Sequence, residues 1–240
     1  MRGKLKTASE KCVNNYGFFI GATSDNVADL QEAVGTPDAP LGIPGICGIK
    51  IFMGSSTGDL LVHEQEHLEN IFANTNGIIA THAEDENRLQ SRIPQFKHRT
   101  DIAAHAECRD IECALIATKR ASALAKDHDH RLHIVHLTSG VEADWLATNK
   151  GDLITTEVCT QHLTFDQEDV EKLGVRALMN PPIRYTEDRD TLWKRLKDGT
   201  IDCVVTDHAP HTLDAKSIGY PNAPAGMPGV ETSLPLMLTH

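Results

Sequence analysis

The chain has 240 residues, 23 Lys and Arg against 34 Asp and Glu, and a formal charge of −11. Hydrophobic residues make up 40% and charged residues 24%, which supports a sizeable core and excludes disorder as the default state. No apolar run approaches the ~20 residues of a membrane span, and an acidic surface disfavours nucleic acid as a partner.

The N-terminal Met-Arg-Gly-Lys-Leu-Lys has no apolar stretch behind it, so no signal peptide is expected. Short apolar runs then alternate with helical patterns. Residues 16–22 read as a first strand, and 25–34 as a helix begun by Asp25 and stopped by Gly35. A loop rich in Pro and Gly, 36–45, leads to a strand at 47–53. Residues 77–82 give the third strand, and 107–126 a helix with its apolar side at Ile111, Leu115, Thr118 and Ala121 to Ala125. Strands follow at 132–137 and 153–158. Helices 166–173 and 186–197 run into Gly174 and Gly199, and 201–206 is the last strand. The loop 220–229 after it is suited to a lid or to backbone contact with a substrate. The six cysteines form no Cys-x-x-Cys pair and read as reduced thiols, small core residues of a cytosolic protein.

Six repetitions of strand and helix indicate an α/β fold. Lys50, His82, His136 and Asp207 stand at the ends of four strands. A (β/α)8 barrel builds its site at C-terminal strand ends, whereas a doubly wound sheet gathers one at a single crevice. Polar residues ending four different strands favour the barrel. Six strands do not close a barrel of eight, so either two are unrecognised or the chain forms part of one. Two His and an Asp suit Zn²⁺. A lysine joins them if burial lowers its pKa and the neutral amine adds CO₂, giving a carbamate whose two oxygens can bridge two metals. Such a pair activates water at neutral pH, and an Asp beside it can move the proton to a leaving nitrogen.

Two rival motifs are weaker. His128-Asp129-His130 precedes a strand, on the barrel face opposite such a site, and reads as a solvated loop. His63-Glu64-Gln65-Glu66-His67 spells the zincin HExxH motif. With Leu61 set at 0° on a helix, Leu68 falls at about 340° and Phe72 at about 20°, marking the buried stripe. His63 and His67 then fall at about 200° and about 240°, towards solvent. His105 and His133 read as structural, and His162 and His208 as residues lining or supporting the site.

Five ordered segments carry a resemblance over essentially the whole chain. They are Gly-Ile-Lys-Ile-Phe-Met-Gly-Ser-Ser-Thr-Gly at 48–58, Ala-Thr-His-Ala-Glu-Asp-Glu at 80–86 and Leu-His-Ile-Val-His-Leu-Thr at 132–138. Asn-Pro-Pro-Ile-Arg at 180–184 and Thr-Asp-His-Ala-Pro-His-Thr at 206–212 complete the set. Together they resemble dihydroorotase, of the amidohydrolase superfamily. The resemblance implies a TIM-like barrel of the metal-dependent hydrolase type, here incomplete, with about six βα units and the first two strands absent. It implies that 1–240 is a partial catalytic barrel domain of a cytoplasmic enzyme of pyrimidine biosynthesis, which interconverts dihydroorotate and N-carbamoyl-aspartate. Lys50 matches the carboxylated lysine bridging two Zn²⁺, and His82 and His136 the histidines of one metal. Asp207 matches the ligand of the other that acts as general base and acid. Asn180, His211, Ala225 and Gly226 match substrate contacts. The family's opening His-x-His motif and the arginine after it have no counterpart among the 240 residues, so the chain is expected to be inactive or weak alone. A hydantoinase- or allantoinase-type ring-opening enzyme is an alternative. So is a non-catalytic subunit, and a second copy or aspartate transcarbamoylase are the partners implied.

Overall fold

The computed structural model describes residues 2–56 and 60–239. Thr57 and Gly58, which end the first motif, lie outside the described residues. In chain order the elements are α1 (Arg2–Lys11), β1 (Phe18–Gly21), α2 (Val27–Val34), β2 (Ile46–Phe52), α3 (Gln65–Asn74), β3 (Ile78–His82), α4 (Glu86–Phe96), α5 (Ala103–Cys108), α6 (Ile111–Asp127) and β4 (Leu132–Ile134). The second half continues with α7 (Gly140–Asn149), β5 (Ile154–Cys159), α8 (Thr160–Thr164), α9 (Gln167–Leu173), α10 (Thr186–Lys197), β6 (Cys203–Val205), α11 (Leu213–Ser217) and α12 (Ser233–Thr239).

The strands form one six-stranded sheet in sequential order, each parallel to the next. A parallel sheet of this order is the wall of a barrel. Among the described residues it is open, with β1 and β6 at its edges. Its two faces differ because side chains alternate along a strand. Ile49, Ile51, Ile79, Leu132, Ile134, Ile154 and Val158 point to the outer face and are completely or almost completely buried. They pack with Leu30, Leu68, Ile71, Phe72, Ala121, Leu124, Leu146 and Leu192 of the surrounding helices. Each such aliphatic side chain contributes roughly 1.5–3 kcal/mol on burial. On the inner face Gly21, Lys50, Ala80, His133 and Thr155 stand in register from β1 to β5. This face is only partly covered: Phe19 is 42% exposed.

All six expected strands are present, and the helices that stop at Gly35, Gly174 and Gly199 end there with those glycines at positive φ. Four expectations are corrected. The helix expected at 107–126 is two, α5 and α6, broken at Arg109 and Asp110. The Asp110 carboxylate accepts from Cys113 N–H and so caps α6. The buried Arg184 donates to the carbonyls of Ala106, Arg109 and Asp110, and holds the break in place. α3 starts at Gln65, so His63 and Leu61 precede it, and its buried stripe is Leu68, Ile71 and Phe72. HExxH therefore does not lie on one helix. His130 is buried rather than solvated, set between the carbonyls of Thr75 and Arg131. All six cysteines are free thiols, but Cys12, Cys47 and Cys203 are exposed rather than core residues.

Candidate active site

Lys50, His82, His136 and Asp207 line one cavity of about 140 Å³, together with Asn180, Ala225 and Gly226. Phe52, Ser56, Met179 and Ala209 complete much of the wall. β2 and β3 deliver Lys50 and His82 directly, because Phe52 pairs with His82 and Lys50 lies two residues earlier on the same face. His136 and Asp207 follow the ends of β4 and β6 with φ of 43° and 39°. Left-handed backbone at a non-glycine residue is costly, and such strain gathers at functional sites.

His82 Nδ1 and His136 Nε2 are 3.0 Å apart. His82 Nε2–H donates to the Glu84 carboxylate at 2.8 Å, which leaves His82 Nδ1 as the atom with a lone pair. Glu84 in turn pairs with Arg109, whose guanidinium also donates to the Ser55 carbonyl. Among the described residues His136 Nδ1 is buried without a hydrogen-bond partner. Two imidazole nitrogens bound at ~2.0–2.1 Å to one tetrahedral zinc would stand ~3.3 Å apart. A carboxylate on the far nitrogen is the usual support of a metal-binding histidine. The donor set therefore fits a divalent cation of the zinc kind.

The charges are shifted in a consistent way. Burial pushes the Lys50 ammonium down to about 8, against the pull of Asp207 and Glu157. Burial, with the charges of His82 and Lys50, drives His136 well below its ordinary value. Burial also lowers His82, opposed by Glu84. Asp207 is raised by burial, with Lys50 pulling the other way. Both imidazoles are thus neutral at pH 7, the form a metal ligand needs, and Lys50 has an accessible neutral amine.

The loop 220–229 is sewn to the strand ends. Ala209 N–H donates to Met227 O at 3.0 Å, and Gly226 N–H to Leu178 O at 2.8 Å. His211 is the one expected substrate contact that does not line the cavity. Its Nε2–H donates to Ala225 O at 3.0 Å, so it holds the loop from behind. Several histidines play comparable roles. His105 Nε2–H donates to Met179 O and Asn180 Oδ1, both at 3.0 Å, so its structural assignment understates a direct hold on the cavity wall. His162 supports the Pro181 carbonyl at 3.1 Å, and His208 Nδ1 accepts from Gly229 N–H.

Glu84 and Arg109 were not singled out in the sequence. A usable signal exists for Glu84, which stands two residues beyond His82 and so on the same side of an extended chain. Arg109 has none, because it is brought in by the break between α5 and α6.

No family model matches the chain. It is 36% identical over 246 residues to an allantoinase of Streptomyces avermitilis, covering 100% of this chain and 53% of that protein. It is 36% identical over 247 residues to a dihydroorotase of Methanosarcina acetivorans, covering 98% of this chain and 51% of that one. Among solved structures, L-hydantoinase (dihydropyrimidinase) from Arthrobacter aurescens superimposes with a TM-score of 0.87 at 26% identity, over 99% of this chain and 53% of that one. The chain spans about half the length of the curated relatives it matches. Sequence and fold together make it a homologue, over about half their length, of amidohydrolase-superfamily proteins, the group to which dihydroorotases and allantoinases belong.

Proposed function

We propose that the chain carries metal ligands and substrate contacts of a cyclic amidohydrolase, one that reversibly hydrolyses dihydroorotate to N-carbamoyl-aspartate in pyrimidine biosynthesis. We read 1–240 as a partial catalytic barrel domain. The convergence of Lys50, His82, His136 and Asp207 on a cavity walled by Asn180, Ala225 and Gly226 carries this reading. Lys50 as its carbamate would bridge two Zn²⁺, with His82 and His136 holding one and Asp207 the other. Bound there, the ions would supply an activated water at neutral pH and polarise the ring carbonyl.

The chain's own residues do the rest. The neutral Lys50 amine adds CO₂, forming an N–C bond and losing a proton. Glu84 and Arg109 fix the His82 ring so that Nδ1 faces His136. The Asp207 carboxylate takes the proton of the attacking water and returns it to the departing ring nitrogen. Asn180 Oδ1 is occupied by His105, so its amide N–H groups are the ones left to meet a substrate oxygen. Ala225 and Gly226 shape the wall against the ring.

A second reading, ring opening of allantoin or a hydantoin, is favoured by the allantoinase relative that matches the chain end to end. We place the protein in the cytoplasm, with a second copy as partner or, for a dihydroorotase-like chain, aspartate transcarbamoylase. Zinc-loaded full-length protein, assayed on dihydroorotate, allantoin and hydantoin, decides between the readings. Turnover of dihydroorotate, lowered ~10²-fold or more by Asp207→Asn, is the expected result. Turnover of allantoin or hydantoin alone moves the assignment to the second reading, and no turnover of any ring defeats both.

A further inference from the structure

A second group of donors lies on the inner face of the sheet, outside the side chains assigned above. His133, Glu157 and Cys203 each offer one ligand atom, and the three atoms lie within 4.8 Å of one another. They come from three adjacent strands: β4 and β5 are in register beside His133, and Glu157 pairs directly with Cys203 across β5 and β6. His133 Nε2 is 2.9 Å from Glu157 Oε2. His133 Nδ1 is 2.8 Å from Thr155 Oγ1, and that hydroxyl is 3.4 Å from the Leu132 carbonyl. Without an ion, Nε2–H donates to the Glu157 carboxylate; where an ion takes the place of that proton, Nδ1–H can donate to Thr155 Oγ1, whose hydroxyl faces the Leu132 carbonyl, so the ring keeps a partner on its far nitrogen. Glu157 is anchored in turn, since its Oε1 accepts from His136 N–H at 3.3 Å.

We propose that His133, Glu157 and Cys203 form a separate binding site for a thiophilic divalent cation, zinc in type, sharing no side chain with the cavity of Lys50 and His82. Imidazole, carboxylate and thiolate are each zinc donors, and three protein ligands with the fourth position left to water is the arrangement of an open zinc site. The sulfur selects against Mg²⁺ and Ca²⁺, which require oxygen ligands. Binding displaces the Cys203 S–H proton to solvent, and the thiolate takes its place on the ion. Zinc–nitrogen and zinc–sulfur bonds of ~2.0 and ~2.3 Å put tetrahedral donors roughly 3.5 Å apart. The three donor atoms lie within 4.8 Å of one another, and Cys203 is exposed.

Cys203 alkylation provides the test, with labelling located by peptide mass spectrometry. Cys12 and Cys47 are exposed thiols in the same molecule and serve as internal controls. Zinc is expected to slow iodoacetamide labelling of Cys203 by about tenfold or more, because a metal-held thiolate is withdrawn from attack. Cys12 and Cys47 should label at unchanged rates. His133→Gln should abolish the protection, whereas Asp207→Asn should retain it. With Co²⁺ in place of zinc, a sulfur-to-cobalt charge-transfer absorption should appear in the wild type and vanish in Cys203→Ala, with circular dichroism confirming that the variant is folded. Labelling of Cys203 indifferent to zinc, or a cobalt–sulfur band that survives Cys203→Ala, overturns the proposal.

Discussion

Behind His82, the carboxyl of Glu84 has no exposed surface. Burial alone would push it up, but the Arg109 charge and the hydrogen bond from His82 hold it at about 2. A depressed carboxyl contributes stability above its unfolded pKa of ~4.3, and that contribution is lost as pH falls through the folded value. Glu84→Gln is therefore expected to cost about 3 kcal/mol at pH 7, with the deficit shrinking between pH ~4 and ~2. Urea denaturation across that range measures it, and a pH-independent difference contradicts the ion-pair account. At this scale much of the candidate site is legible in sequence. Lys50, His82, His136 and Asp207 follow short β runs as polar residues, and such residues have no reason to end four strands by chance. The Glu84–Arg109 pair and the His133–Glu157–Cys203 group were not legible as units. Their members are joined by a helix break and by strand register, and neither is written in local spacing.

Two elements show how local backbone fixes the cavity. Gly226 has φ +138°, and a Cβ there would lie 2.6 Å from Ala209 O. Gly226→Ala must displace the loop or the strand end, with an expected loss of roughly 1–3 kcal/mol and weaker substrate binding. Thermal unfolding and the Michaelis constant read the two effects, and a variant unchanged in both contradicts the close approach. At the start of α7, Ser139 Oγ accepts from Glu142 N–H. The Glu142 carboxyl is buried against Thr118, and burial raises it to about 7 despite that hydrogen bond and the Arg184 charge. A raised carboxyl has the opposite sign to Glu84. The folded state retains the proton, so stability falls as pH rises from ~4.3 to about 7. Glu142→Gln should flatten that decline and gain stability at pH 8 relative to pH 5, measured as the change in urea midpoint. Equal effects at both pH values would contradict the buried protonated acid. Nothing in the local sequence indicates that this acid lies buried beside Thr118.

For the molecule as a whole, strand–helix alternation and glycine stops were sufficient to outline the sheet, because both are local. The two-faced character of the sheet was not, because a short apolar run does not separate a strand buried on one face from one buried on both. In the structure the outer face is sealed by aliphatic packing, while the inner face leaves Phe19 and Cys203 exposed. That inner face also presents Lys50, His82, Glu157 and His133, so the polar chemistry is confined to one side of a wall whose other side is hydrocarbon. The fold thus gathers these polar side chains without burying uncompensated charge in the main core. Anomalous diffraction at the zinc edge, on crystals of the zinc-loaded protein, tests this most directly. The account predicts a zinc peak within bonding distance of both His82 Nδ1 and His136 Nε2, next to Lys50, and its loss in His136→Ala. Zinc-loaded crystals with no peak in that cavity would contradict it.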